Sequence, residues 1–249
     1  ELYEHLGAIC ARAGQVPEAE DFYTEAFLRH GRAARHLVNL SQLDLVKGDE
    51  EKAVASLQRA IEIDPTEVTA RSALGFEYQS QGFHEEAVMQ FEVAVRLRPE
   101  YPDLQYNLGL LYHSQGRHDE AGQCLRRAIE INPQYFQART SLAQLLLVQE
   151  RFEEALAELR ALASGGLRSA DLHVQIAQAH LAMNQSREAV LELEKAAALN
   201  PAYPRTYYIL GQAYRELGLR RKARRAWQQY LTASRQWGEE QLVLDRTQP

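Results

Sequence analysis

Cysteine is nearly missing from this chain: Cys10 and Cys124 are the only two in 249 residues. Neither falls in a C-x-x-C or C-x-x-C-H spacing, which excludes a cysteine knuckle for zinc and a covalent haem attachment. Long apolar runs are missing too. No stretch of about eighteen apolar residues occurs, so no segment of this sequence reads as a transmembrane helix. Strong charge of either sign is also lacking. A net charge of -6 and a pI near 5.8 are mild and give no electrostatic footprint for nucleic acid, so no nucleic-acid partner is expected.

The signatures of chemistry are equally sparse. There is no G-x-S-x-G, no glycine-rich phosphate loop, no H-E-x-x-H and no dinucleotide glycine pattern. The eight histidines are scattered; His113 and His118 flank one turn, but no further ligand completes a metal spacing around them. Paired acids at Glu50-Glu51, Glu85-Glu86 and Glu153-Glu154 fall at the start of amphipathic runs. There they suit the positive end of a helix dipole better than they suit catalysis. The expectation is therefore a protein that is not an enzyme and holds no cofactor and no metal.

What the chain has is a period. The stretch Val68–Tyr101 reads as two amphipathic helices around a turn at Gly82, closed by Pro99. Stepping it by 34 residues returns a large apolar residue at Leu6, Leu40, Leu74, Leu108, Leu142, Ile176 and Leu210. A small residue follows at Gly7, Ser41, Gly75, Gly109, Ala143, Ala177 and Gly211. Thirteen residues after the large position comes alanine every time: Ala19, Ala53, Ala87, Ala121, Ala155, Ala189 and Ala223. A bulky residue follows at Tyr23, Leu57, Phe91, Leu125, Leu159, Leu193 and Trp227, and prolines stop the unit at Pro65, Pro99, Pro133 and Pro201. Small residues let two helices approach closely, and the bulky ones fill the seam between them.

This pattern resembles the tetratricopeptide repeat family, in which Leu-Gly-x-x-Tyr is followed by Ala, Phe and Pro over 34 residues. The frame divides the chain into seven units at 1-33, 34-67, 68-101, 102-135, 136-169, 170-203 and 204-237, leaving 238-249 as a short C-terminal tail. The resemblance implies an all-α, right-handed solenoid of stacked antiparallel helix pairs, helix A and helix B of each repeat. One departure is uniform. The family's Trp, three residues before the large apolar position, is replaced by Tyr3, Leu37, Arg71, Gln105, Arg139, His173 and Tyr207. In such a stack Cys10 and Cys124 lie three repeats apart, too far for a disulfide.

Two places break the regularity. The hairpin turns carry Gly14, Gly48, Gly82, Gly116 and Gly218, with Asn184 as a tolerable substitute; Glu150 in the same slot implies strain or a different turn. The fifth repeat ends in Gly165-Gly166 rather than at a proline, which reads either as drift at an exposed turn or as a hinge.

The resemblance also implies where a partner binds. In the family the helices A line the inner wall. Carried over by position, that wall includes Val38, Asn39, Gln42, Phe76, Tyr106, Asn107 and Leu110, then Gln144, Val174, Gln175, Gln178, Tyr208 and Gln212. Amides there can bond an extended peptide backbone and the aromatics can anchor side chains, so the expected partner is a protein or peptide segment. The clamp by which chaperone-tail receptors of the family hold a terminal carboxylate is not reproduced. Glu4, Ala8, Asn39, Thr69 and Ala73 stand in its slots, without a cation. The last repeat carries a basic patch, Arg220, Arg221, Lys222, Arg224 and Arg225, where other repeats place acids, and its outer edge is expected to contact another domain, copy or partner. A non-catalytic scaffold is the leading reading. A targeting module of a larger enzyme and a permanent subunit of an assembly or secretion complex are the alternatives. The chain begins at Glu1 with no initiator Met, as a segment of something longer would, and its compartment is open.

Overall fold

The computed structural model describes residues 2–247, with side chains as far as residue 235. Those residues form fourteen α-helices and no strand. They are α1 (Leu2–Arg12), α2 (Val16–His30), α3 (Ala33–Val46), α4 (Glu50–Ile63), α5 (Val68–Ser80), α6 (His84–Leu97) and α7 (Pro102–Ser114). There follow α8 (His118–Ile131), α9 (Phe136–Val148), α10 (Phe152–Ser164), α11 (Ala170–Ala182), α12 (Ser186–Leu199), α13 (Pro204–Glu216) and α14 (Arg220–Thr247). From Val68 on, every helix A starts 34 residues after the last, and from Glu50 on so does every helix B. Each odd-numbered helix packs on the even-numbered helix that follows it.

One turn closes all seven hairpins. The N–H three residues beyond the end of helix A donates to the carbonyl five residues before it, in the helix's last turn, as from Phe83 to Tyr78 (2.8 Å) and from Arg117 to Tyr112 (2.9 Å). This is the bond that ends a helix on a left-handed residue. Gly82 and Gly116 hold it at φ 82 and 74 without a side chain to clash. Glu150 takes the same bond and the same conformation, φ 59, so of the two readings of this position the strained one is correct. Relief of that strain is testable. Glu150→Gly should raise stability by about 1 kcal/mol, the ordinary cost of a left-handed side chain; an unchanged or lower urea midpoint would show that its surroundings have absorbed the strain.

The seam between helices A and B is closed by the repeated alanines. Ala19, Ala53, Ala87, Ala121, Ala155 and Ala189 have no exposed surface at all, and Tyr23, Leu57, Phe91, Leu125, Leu159 and Leu193 are equally buried beside them. The small position on helix A is set by what faces it. A Cβ on Gly7 would stand 2.5 Å from the Tyr23 ring, one on Gly75 2.7 Å from Phe91, and one on Gly211 2.1 Å from Trp227. Where the facing residue is Leu57, Leu159 or Leu193, the small position carries Ser41, Ala143 or Ala177. Rings therefore demand glycine, whereas leucine admits a methyl or hydroxymethyl group in three hairpins and faces Gly109 in a fourth, where a Cβ would stand 3.2 Å from Leu125. Gly211→Ala should cost about 1–3 kcal/mol through overpacking, read as a lower urea midpoint. Adding Trp227→Leu should recover part of that loss in a double-mutant cycle, and strictly additive effects would contradict the pairing.

The slot that lacks the family's Trp is filled another way. In four of the seven repeats its occupant reaches the residue 19 positions later on helix B. Arg71 donates to Gln90 (3.3 Å), Arg139 to Glu158 (2.5 Å), and His173 pairs with Glu192 (2.6 Å). Tyr3 meets Phe22 as an aromatic pair in the same geometry. Between repeats, the tyrosines of the pattern bond the preceding helix B: Tyr112 donates to Glu92 (2.7 Å) and Tyr214 to Glu194 (3.3 Å).

The chain divides into two compact units, Glu1–Asn132 and Pro133–Pro249. In the first, Leu57 and Ala60 of α4 pack with Val38 of α3 and Leu74 of α5. In the second, Leu156 and Leu159 of α10 pack with Leu172 and Ile176 of α11, and Ala189 and Leu193 of α12 with Ile209 and Leu210 of α13. Gly165 and Gly166 lie inside this second unit. Both glycines are exposed, although a Cβ on Gly165 would meet Phe136 at 3.0 Å, and the boundary between the units lies elsewhere. The C-terminal stretch also differs from expectation. Residues 238–247 continue α14 as one helix rather than ending in a short tail; Leu242, Val243 and Leu244, which the sequence offers as a partial cover for this edge, have side chains outside the described residues.

Candidate functional site

In the first unit the helices A stand side by side, α1 against α3 and α3 against α5. Their shared face holds a cleft of about 190 Å³, lined by Glu4, His5 and Ala8 of α1, by Arg35, Val38, Asn39 and Gln42 of α3, and by Thr69 of α5. Helical spacing explains the α3 set, since residues 35, 38, 39 and 42 follow one another on one face. Not all of them point outward. Val38 is 1% exposed and belongs to the core, a correction to its place on the inner wall.

Asn39 is the notable residue. Only 8% of it is exposed, yet it borders the cleft and its amide bonds no other described residue. Gln42 is exposed, with a long bond (3.4 Å) accepted from the Tyr23 hydroxyl. Further along the face Phe76 is 45% exposed and set edge-on against Phe91 at 5.0 Å, so the ring packed on Gly75 also supports the outer one. Tyr106, Asn107 and Leu110 are half-buried on α7.

Arg35 was not among the expected site residues. It lies four residues before Asn39, and its guanidinium donates to Thr69 Oγ1 (2.7 Å) and Glu67 Oε1 (3.3 Å). The clamp slots lack a cation, as expected, but this arginine brings one into the cleft from the turn before. The signal was its spacing. Arg35 and Thr69 are 34 residues apart, one repeat, so they occupy adjacent rungs of one ladder.

In the second unit the expected residues are more occupied with one another. Gln175 donates to Asp171 (2.6 Å), Gln178 accepts from Arg205 (3.0 Å), and Asp171 also accepts from Tyr203 (3.0 Å). Val174 is fully buried and is core, again a correction. Gln144 is exposed, Gln212 half-buried, and Tyr208 46% exposed beside Tyr230 at 5.5 Å. The basic patch begins α14: Arg220, Arg221, Lys222, Arg224 and Arg225 are all exposed, and Lys222 sits over the Tyr214 ring at 5.4 Å.

Titration follows from burial and partners. Burial, reinforced by Glu120 and Glu92, pushes the Cys124 thiol up to about 11, so it stays protonated and unreactive near neutral pH. Burial and the bond to Glu92 raise Tyr112. His113 and His118 stand 5.3 Å apart, ring to ring, and no metal-holding group of three ligands forms among the described residues. No helix among them is long and apolar enough to cross a membrane.

Glu192 carries a pH prediction. Burial alone would raise its carboxyl, but bonds from Lys195 and His173, with their charges, hold it below the usual glutamate value. A folded value below the unfolded one, about 4.3, gives stability that is present above that pH and is lost as pH falls through the folded value. Glu192→Gln should therefore be less stable than the parent at pH 7, and the difference should close below about pH 4. Urea midpoints along pH that run parallel for the two chains would contradict this.

Three family models match the sequence. One, described as tetratricopeptide repeat, covers residues 102–135; a second, described as TPR repeat, covers 45–82 and 77–116; a third, again tetratricopeptide repeat, covers 123–171 and 174–237. Among solved structures, YrrB, described as a TPR protein with an unusual peptide-binding site, is 26% identical, with 74% of this chain and 95% of that one covered and a TM-score of 0.63. PilF of Pseudomonas aeruginosa is 17% identical, with 85% of this chain and 96% of that one covered and a TM-score of 0.66. MamA of Desulfovibrio magneticus is 18% identical, with 68% and 96% covered and a TM-score of 0.63. The last two show the fold alone. No curated protein matches the sequence.

Proposed function

The chain belongs to the tetratricopeptide repeat family, and on that premise we propose that it is a non-catalytic scaffold that binds an extended peptide or protein segment along its helix-A face. Repeats of this family are protein–protein interaction modules. One observation carries the location of the partner on this chain: the nearly buried amide of Asn39, bonded to no other described residue, at the rim of the first unit's cleft.

An amide presents one acceptor and two donors, the complement of a peptide unit's N–H and C=O. A bound peptide unit can pair with it where the cleft opens. Gln42 supplies a second amide one turn on, and Phe76 an exposed ring for an apolar side chain. YrrB, similar over most of this chain, is described by its peptide-binding site, which favours the same class of ligand. The amides of the second unit contribute less to this reading, because Gln175 and Gln178 already bond Asp171 and Arg205.

The test uses dodecapeptides selected from a random display library on the full chain. Asn39→Ala and Phe76→Ala should each weaken the selected peptides about tenfold or more, with melting almost unchanged, since a lost hot-spot contact is worth more than 1 kcal/mol. Peptides that bind both variants as tightly as the parent would move the site elsewhere. Loss of helicity in Phe76→Ala would make that residue core and remove it from the site.

A further inference from the structure

The last helix presents a face that every other described hairpin of its unit covers. In the second unit α10 is packed by α11 and α12 by α13, and no described helix follows α14. The positions at issue are known from the period. Leu156 and Val190 meet the next helix A within the two core clusters, and Ala163 packs there two turns after Leu156. Their equivalents on α14 are Arg224 and Leu231, both exposed, with Leu231 at 58%. Trp227 is half-buried, whereas its equivalents Leu159 and Leu193 have no exposed surface. Arg220, Arg224, Leu231 and Arg235 follow one another on one stripe of the helix, beside Trp227.

The charge at the start of this helix is reversed relative to most of the other helices B, although Arg187 of α12 occupies the same slot as Arg221. Where α4, α6, α8 and α10 begin with Glu51, Glu85, Asp119 and Glu153, α14 has Arg221; where three of them continue with Glu86, Glu120 and Glu154, it has Lys222. Cations at a helix N-terminus oppose the dipole. Arg220, Arg221, Arg224 and Arg225 have no carboxylate partner among the described residues that would offset it. A polar cap needs only solvent-compatible groups, and glutamates would have served with the dipole rather than against it. The seam position is apolar in the interior of this unit, at Leu156 and Val190, and arginine here, next to an apolar residue left open.

We infer that this face of α14 is a docking site for an acidic amphipathic helix of another polypeptide, lying where the first helix of a following repeat would lie. The shape argument is that each interior junction of the unit is filled by a helix. The charge argument is that a helix with carboxylates flanking an apolar stripe would meet Arg220, Arg224 and Arg235 on either side of Leu231 and Trp227. This inference does not rest on the peptide reading of the helix-A face. Asn39 and Phe76 lie in the other unit, so variants there leave it untouched.

The experiment titrates the full chain with two synthetic helices of about sixteen residues, each with the same leucine stripe, one flanked by Glu and the other by Lys. The Glu helix should bind, more weakly as salt rises, and the Lys helix should not. Arg220→Glu with Arg224→Glu should weaken the Glu helix about tenfold or more and admit the Lys helix; Leu231→Ser should weaken binding of the Glu helix without changing its preference over Lys. These side chains are exposed, and circular dichroism verifies that the variants stay folded. Binding of neither helix, or of both equally, overturns the inference. So does binding of mixed phosphatidylserine–phosphatidylcholine vesicles without the Glu helix, which assigns the face to a membrane. Self-association of the parent that Leu231→Ser abolishes, with no binding of the Glu helix, assigns it to a second copy and overturns it too.

Discussion

Close approach of two helices across an alanine is the constraint on which this structure depends. Each of the six alanines from Ala19 to Ala189 is fully buried, which places the backbone of helix B against helix A and leaves one side-chain gap per hairpin. A single bulky residue fills that gap, and the residue facing it must shrink in proportion. Tyr23, Phe91 and Trp227 therefore sit opposite Gly7, Gly75 and Gly211. A repeat protein holds its stability in such local seams and in the interfaces between neighbours, so a misfit is felt in its own hairpin.

That packing determines which surfaces are left for function. Within each unit, the helix-B side is engaged by its own hairpin and by the following repeat. What stays open is the face shared by the helices A and the edge where the stack ends. On the first, the packing decides residue by residue. Phe76 is held outward by Phe91 behind it, Val38 turns inward, and Asn39 is nearly enclosed with its amide unspent. On the second, an arginine stands where the interior seam is apolar, and Leu231 lies open beside it.

The period made much of this legible in the sequence. The helices, the turns and the seam all follow from side chains whose partners lie within one repeat, because spacing of 34 residues fixes them. The departures are contacts that spacing alone does not determine. Val38 and Asn39 are neighbours on α3, and a rotation of a few tens of degrees decides which is core; the sequence placed both on the wall. The 34-residue spacing aligns Arg35 with Thr69 on the next repeat, but it does not say that the guanidinium would bond Thr69 and Glu67 at the cleft. Gln178 was expected to face a ligand but bonds Arg205, 27 residues away. At Glu150 the turn prevailed over the residue's own preference, since the bond from Arg151 to Leu146 (2.9 Å) fixes the backbone. The length of α14 was missed because residues 238–249 lie past the last 34-residue frame and show no period of their own.

The central claim is that an extended segment lies against the helices A of the first unit, bonded by Asn39. Photocrosslinking tests it most directly, with a selected dodecapeptide carrying a benzophenone and adducts located by mass spectrometry. The account predicts adducts on α1, α3 and α5, centred near Gln42 and Phe76. Adducts confined to the helix-B surfaces, around Glu51 or Glu86, would contradict it.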